Sequence, residues 1–125
     1  MANATKVSVI NNGPRDFTVY VTVTGDGSGE VTSLKVIDNT TVGNKNFRID
    51  RVYWSHSTGV TSKIVWDGAT ACLAWQFPEN VDCFDFSDIG GLRNQATTPN
   101  GDVLYTTAGL LTGKSTVLVL HGRKE

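Results

Sequence analysis

The chain has 125 residues, 39% of them hydrophobic, with 11 basic side chains against 12 acidic ones and a formal charge of −1. That length suits a single domain over residues 1–125 whose core needs no metal or disulfide staple, and the balanced charge leaves no electrostatic footprint for a nucleic-acid partner. No apolar run approaches the ~20 residues of a membrane span, and the opening "MANATKVSVI" carries neither a charged leader nor a signal core, so a soluble chain made in the cytosol is expected.

Period two dominates from residue 17 onward. In "FTVYVTVT", Phe17, Val19, Val21 and Val23 point one way and Thr18, Tyr20, Thr22 and Thr24 the other, as in a strand with one buried face. The glycines of "GDGSGE" suit a turn, and "EVTSLKVID" follows as a second strand, so a hairpin across that loop is expected. The polar segment "NTTVGNKN" separates this pair from "FRIDRVYWS". Then come "SKIVWD", "LAWQF", "CFDF", "DVLYTT" and "STVLVLHGR", each bounded by Gly, Pro, Asn or Asp. About eight short strands at regular spacing predict an all-β fold, a single-domain antiparallel β-sandwich of jelly-roll-like or Ig-like type. The strand "STVLVLH" is apolar on both faces, which predicts a central or sandwiched position. The tail "GRKE" is expected to fray or to touch a neighbour.

The segment "VDCFDFSDIGGL" (81–92) holds three carboxylates, Asp82, Asp85 and Asp88. On a strand, Asp82, Phe84 and Phe86 share one face and Cys83, Asp85 and Ser87 the other, so the three acids do not converge on one ion. The spacing also lacks the alternate ligands and closing glutamate of a calcium loop. A strand ending in a turn at Asp88, Gly90 and Gly91 accounts for the segment. His56, Cys72, Cys83 and His121 could serve zinc, yet they lack the close pairs that organise such sites. Cys72 and Cys83 are therefore read as small buried thiols. No metal, cofactor or catalytic constellation is expected. The tryptophans Trp54, Trp66 and Trp75 fall in apolar strands and read as core. A rival reading places sugar stacking at Trp54 and Trp75, with Asp85 and Asp88 accepting hydroxyl protons.

The strands "FRIDRVYWS" and "SKIVWDGATA", the turn "FSDIGGLRNQA" and the ending "NGDVLYTTAGLLTGKSTVLVLHGRK", over residues 47 to 124, resemble small β-sandwich virion proteins of tailed bacteriophages, including capsid decoration or cement proteins. The resemblance implies a non-enzymatic structural protein on the capsid surface, assembled in the host cytoplasm and partnered by the major capsid protein. It also implies self-association, with a trimer as the suggested form, and leaves a head-tail connector or tail position open. Coat contacts are expected at the terminal and loop residues Met1, Ala2, Asn3, Ala4, Asn44, Lys45, Arg123 and Lys124, because segments at a sandwich edge are free to reach a neighbour.

Overall fold

Alternation along the sequence becomes alternation across two sheets. The computed structural model describes residues 4–27, 29–42 and 47–124. Among these run β1 (Ala4–Asn12), β2 (Asp16–Thr24), β3 (Leu34–Ile37), a one-turn helix α1 (Asn39–Val42), β4 (Phe47–His56), β5 (Thr61–Thr70), β6 (Cys72–Phe77), β7 (Val81–Asp85), a 3-10 turn (Ser87–Ile89), β8 (Leu92–Arg93), β9 (Thr97–Ala108) and β10 (Ser115–Lys124). One sheet has the order β1-β2-β10-β4-β7, with β8 also paired to β4; the other has the order β3-β9-β5-β6. Every strand pair is antiparallel.

With β1 and the short β8 set aside, β2-β10-β4-β7 faces β3-β9-β5-β6. Strands from two interleaved Greek keys in this order form a jelly roll. The alternating apolar residues of β2 (Phe17, Val19, Val21, Val23), β4 (Phe47, Ile49, Val52, Trp54), β5 (Ile64, Trp66) and β10 (Leu118, Leu120) meet in one buried core with Val103 and Tyr105 of β9. At its centre the Phe17 and Phe47 rings meet edge to face at 5.2 Å, and Phe47 meets Trp66 at 5.8 Å. Gly122 is required here, because a Cβ would run into the Phe17 ring and come within 2.9 Å of the Arg48 carbonyl.

Four expectations are corrected. The segments "FTVYVTVT" and "EVTSLKVID" do not form a hairpin, since β2 pairs with β1 and β10 while β3 pairs with β9 in the opposite sheet. The loop between them is tied across the sandwich: Thr107 N–H donates to Val31 O at 2.9 Å, and the Glu30 carboxylate accepts from Leu110 N–H and Thr107 Oγ1, each at 3.0 Å. Ser33, at φ 54°, breaks the pleat just before Leu34, so only Leu34–Ile37 is strand. The opening segment contributes a full strand, β1, and "GRK" continues β10, where Arg123 and Lys124 pair with Arg48 and Phe47 rather than fraying. The cysteines are not buried: Cys72 is half-exposed on β6 and Cys83 is exposed on β7, on strands of different sheets, and both are free.

β10 is central, between β2 and β4, as its two apolar faces predict. Its inward Leu118 and Leu120 are fully buried, while its outward Val117 and Val119 are only partly covered, because no layer of the described residues lies over that face.

Candidate functional site

Three places hold chemistry: a polar junction inside the sandwich, a concavity on one outer face, and the opposite outer face with its β7 edge. The junction forms where β4 ends and β5 begins. The turn after His56 closes through Val60 N–H donating to Ser57 O at 3.0 Å, which brings Ser62 back against the imidazole. His56 Nε2 and Ser62 Oγ lie 2.5 Å apart, both residues buried, with the buried hydroxyls of Thr107 and Thr116 among the polar groups of this interior. Burial holds the His56 imidazole below its ordinary pKa, opposed in smaller measure by the Ser55 backbone. Burial likewise pushes the Tyr105 phenol up, partly offset by Ser62 and Thr116. A hydrolytic serine needs an oriented histidine and a set of oxyanion donors. Here no carboxylate orients the imidazole among the described residues, and the Phe77 ring lies 6.1 Å from it. The pair satisfies His56 Nε2 and the Ser62 hydroxyl instead. Ser62 and His56 are six residues apart across the turn "STGV", a proximity that strand reading treats as a connection and passes over.

The concavity, of about 620 Å³, lies on the outer face of β5, β6 and β9. Pairing places Thr106, Lys63 and Gln76 in one transverse row there, beside Thr61, Ala108 and Pro78. The outward lining offers one ammonium, one amide and the hydroxyls of Thr61 and Thr106, with Ser62 and Thr107 beneath them.

Across the molecule, register aligns three rows on the outer face of the other sheet: Lys6–Thr22–Val117–Ser55–Val81, Ser8–Tyr20–Val119–Tyr53–Cys83, and Asn11–Thr18–His121–Arg51–Asp85. Tyr20 and Tyr53 are exposed and flank Val119, so an aromatic and aliphatic strip crosses the face inside a threonine and serine margin. His121 Nδ1 bonds Thr18 Oγ1 at 3.0 Å on this surface. On the β7 edge Val81, on this same face, is 75% exposed, while Phe84 on the inward side of β7 is 44% exposed and Ile89 in the 3-10 turn 73%. Phe84 stacks with Trp75 at 5.1 Å and Phe86 at 4.8 Å, closing the gap between the edge strands of the two sheets.

The residues of the sugar reading do not converge. Trp54 is buried, with Nε1–H donating to Asn80 Oδ1 at 2.6 Å, so its faces are closed to a sugar. Trp75 packs on Phe84 and Phe86. Asp85 lies on the outer face of its sheet, opposite in direction to Trp54, and pairs with Arg51 Nε at 3.1 Å. Its carboxyl is held below the usual range chiefly by hydrogen bonds from Ser87, with Arg51 adding to them. Asp88 is exposed in the 3-10 turn, which Gly90 ends in a left-handed conformation at φ 82°. The strand faces of Asp82, Phe84 and Asp85 are those that period two predicts.

His56 and His121 lie on opposite faces of one sheet, and among the described residues no group of three His, Cys, Asp or Glu could hold a metal ion. No helix among them is long and apolar enough to cross a membrane. Of the expected coat contacts, Ala4, Arg123 and Lys124 lie at the two ends of the β1-containing sheet, whereas Met1, Ala2, Asn3, Asn44 and Lys45 lie outside the described residues. The Tyr20–Val119–Tyr53 row was not among the expected contacts; its signal is the pair of tyrosines alternating out of otherwise inward-apolar strands.

Comparison with models of known protein families returns no match to this chain, and comparison with curated proteins returns none either.

Proposed function

We propose that the protein is a non-enzymatic virion structural protein of a tailed bacteriophage, of the capsid-decorating type, which docks on the outer coat lattice and braces the head. The observation that carries this reading is the uncovered outer face of β2, β10 and β4, where Tyr20, Val119 and Tyr53 form a continuous row next to Val117. Tyrosine suits protein interfaces because its ring is apolar and its hydroxyl keeps a polar partner. Two further features support the reading: the ordered blocks "VWDGAT", "DIGGL" and "GDVLYTTAGL" resemble virion sandwiches, and jelly rolls serve in viral shells as well as in lectins. A weak contact per copy suffices, since many copies on one lattice gain avidity.

The test is the copy number of this protein relative to the major coat protein in gradient-purified particles, with wild type compared to Tyr53→Glu. A ratio near one or a simple fraction of it, lost in the variant, is the expected outcome. A few copies per particle would move the protein to a head-tail connector or the tail, and its absence from particles would discard the virion reading.

A second reading is favoured by one observation. The concavity lined by Thr61, Lys63, Gln76 and Thr106 offers the hydroxyl, amide and ammonium groups that a saccharide would meet. A carbohydrate-binding module would use that face, not Trp54 or Asp85. Glycan titration followed by backbone amide shifts at Lys63 and Gln76 separates the two readings.

A further inference from the structure

The row of strands β1-β2-β10-β4-β7 has two outer edges, and they carry opposite charge. Lys6 lies on β1, Arg15 in the turn that follows it, and Arg123 and Lys124 at the adjoining end of β10, against Asp16 alone as acid. The turn is drawn together by Lys124 N–H donating to Arg15 O at 2.6 Å and Lys124 Nζ to Asn12 Oδ1 at 2.7 Å. At the other edge stand Glu79, Asp82, Asp85 and Asp88, with Arg51 offsetting Asp85 and Arg93 beyond on β8.

The charges are also level with one another. Register carries Lys6 through Thr22, Val117 and Ser55 to Val81, next to Asp82, and carries Asn11 through Thr18, His121 and Arg51 to Asp85. Because each neighbour is antiparallel to the next, β1 and β7 run in the same direction. A second copy set beside the first with its sheet in line therefore brings Lys6 level with Val81, one residue from Asp82 on the same margin though Asp82 leaves the other face of the sheet, and the basic turn level with Asp85 and Asp88. Apolar groups match too. A β-bulge between Val9 and Asn11 pushes Ile10 out to 63% exposure, between the levels of Phe84 and Asp85 on the far edge, where Ile89 is also bare.

We infer that copies of this chain associate head to tail, the basic β1 edge of one against the acidic β7 edge of the next. The interface is heterologous, so it generates a closed ring or an open row, whichever the rotation between copies dictates. It is made by side chains and not by a continued backbone ladder. The edge amide of Cys83 is already taken, donating to Asp82 Oδ1 at 2.8 Å, which blunts β7 against strand addition. Exposed ion pairs contribute little each and are screened by salt, so the contact is weak and salt-sensitive. This inference is independent of the coat reading, since it concerns the isolated protein.

Sedimentation equilibrium of the purified chain tests it, at about 0.01 M and about 1 M salt, where the screening length falls from ~30 Å to ~3 Å. The expected result is reversible association at low salt that weakens by about tenfold or more at high salt. K6E/R15E and D82K/D88K should each be monomeric under the low-salt conditions, and an equimolar mixture of the two should associate again, because the reversed edges now match each other. Circular dichroism checks that both variants fold; Asp88→Lys alone, whose side chain is exposed in the 3-10 turn, replaces the double variant if loss of the Asp82 bond unfolds it. A wild-type protein that stays monomeric at low salt, a variant that associates as the wild type does, or a folded mixture that stays monomeric would each overturn the proposal.

Discussion

Two aromatic groups of the same residue types are covered to different degrees. Phe17, Phe47 and Trp66 sit on β2, β4 and β5, each flanked by strands on both sides, and are buried; of Trp75, Phe84 and Phe86 at the β6 and β7 margin, Phe86 is buried, Trp75 is half-buried and Phe84 is 44% exposed. Both groups have ring contacts of similar length, 5.2 and 5.8 Å in the first and 4.8 to 5.1 Å in the second. Contact geometry thus does not separate them. What separates Trp66 from Phe84 is a strand's rank within its sheet, because among the described residues no strand lies on the outer side of β7 to cover Phe84.

Truncation measures the difference. Trp66→Ala should cost about 3–5 kcal/mol in urea unfolding, the range for emptying a large buried aromatic site. Gly122→Ala comes next, at about 1–3 kcal/mol, since the added methyl must displace Phe17 in a packed centre. Phe84→Ala should cost only about 0.5–1.5 kcal/mol, the scale of its ring contacts. A cost for Phe84→Ala equal to that of Trp66→Ala would break the comparison and make the β7 edge part of the core.

A fourth outcome concerns pH. Folding holds His56 neutral by lowering its pKa below the unfolded value near 6.5. The unfolded chain therefore binds the extra proton more readily, and the stability gained from a neutral His56 is present above about pH 6.5 and lost as pH falls through the folded pKa. Urea midpoints measured from pH 8 to 5 should decline below that point in the wild type, and less steeply in His56→Gln. The smallest effect is expected for Asp85→Asn, an exposed partner of Arg51, whose unfolding midpoint at neutral pH should match the wild type within measurement error.

Much of the fold is legible in the sequence because local alternation reports which side chains face inward. The segments "FTVYVTVT", "FRIDRVYWS", "LAWQF" and "STVLVLHGR" are strands within a residue or two of their expected limits. Partnership is not local. Nothing in "GDGSGE" says that the chain crosses to the other sheet, and the Glu30 carboxylate that anchors the crossing bonds residues some 77 to 80 positions away. β1 was hidden for a related reason: its strand has mixed polarity, "ATKVSVINN", because one of its sides has no neighbour to bury it. The candidate surfaces were less legible than the fold. The Tyr20–Val119–Tyr53 row joins residues from three strands, and only the register reveals that they touch one line. Cys83 illustrates the same limit, since its composition suggests burial while its place on an edge strand exposes it.

β10 lies between β2 and β4, which do not pair with each other. During synthesis this has a kinetic cost. Until residues 115 to 124 have emerged, β2 and β4 have no shared partner, so the larger sheet stays split with unpaired inner edges, a state open to wrong partners. Closing it joins segments about a hundred residues apart, as Thr18 and His121 are, and contacts of such long range slow two-state folding toward milliseconds to seconds. Insertion of this one strand is then the event that turns two half-sheets into a sandwich. A nascent chain arrested before Ser115 should remain sensitive to protease throughout β2 and β4, and become resistant in both together once β10 is released.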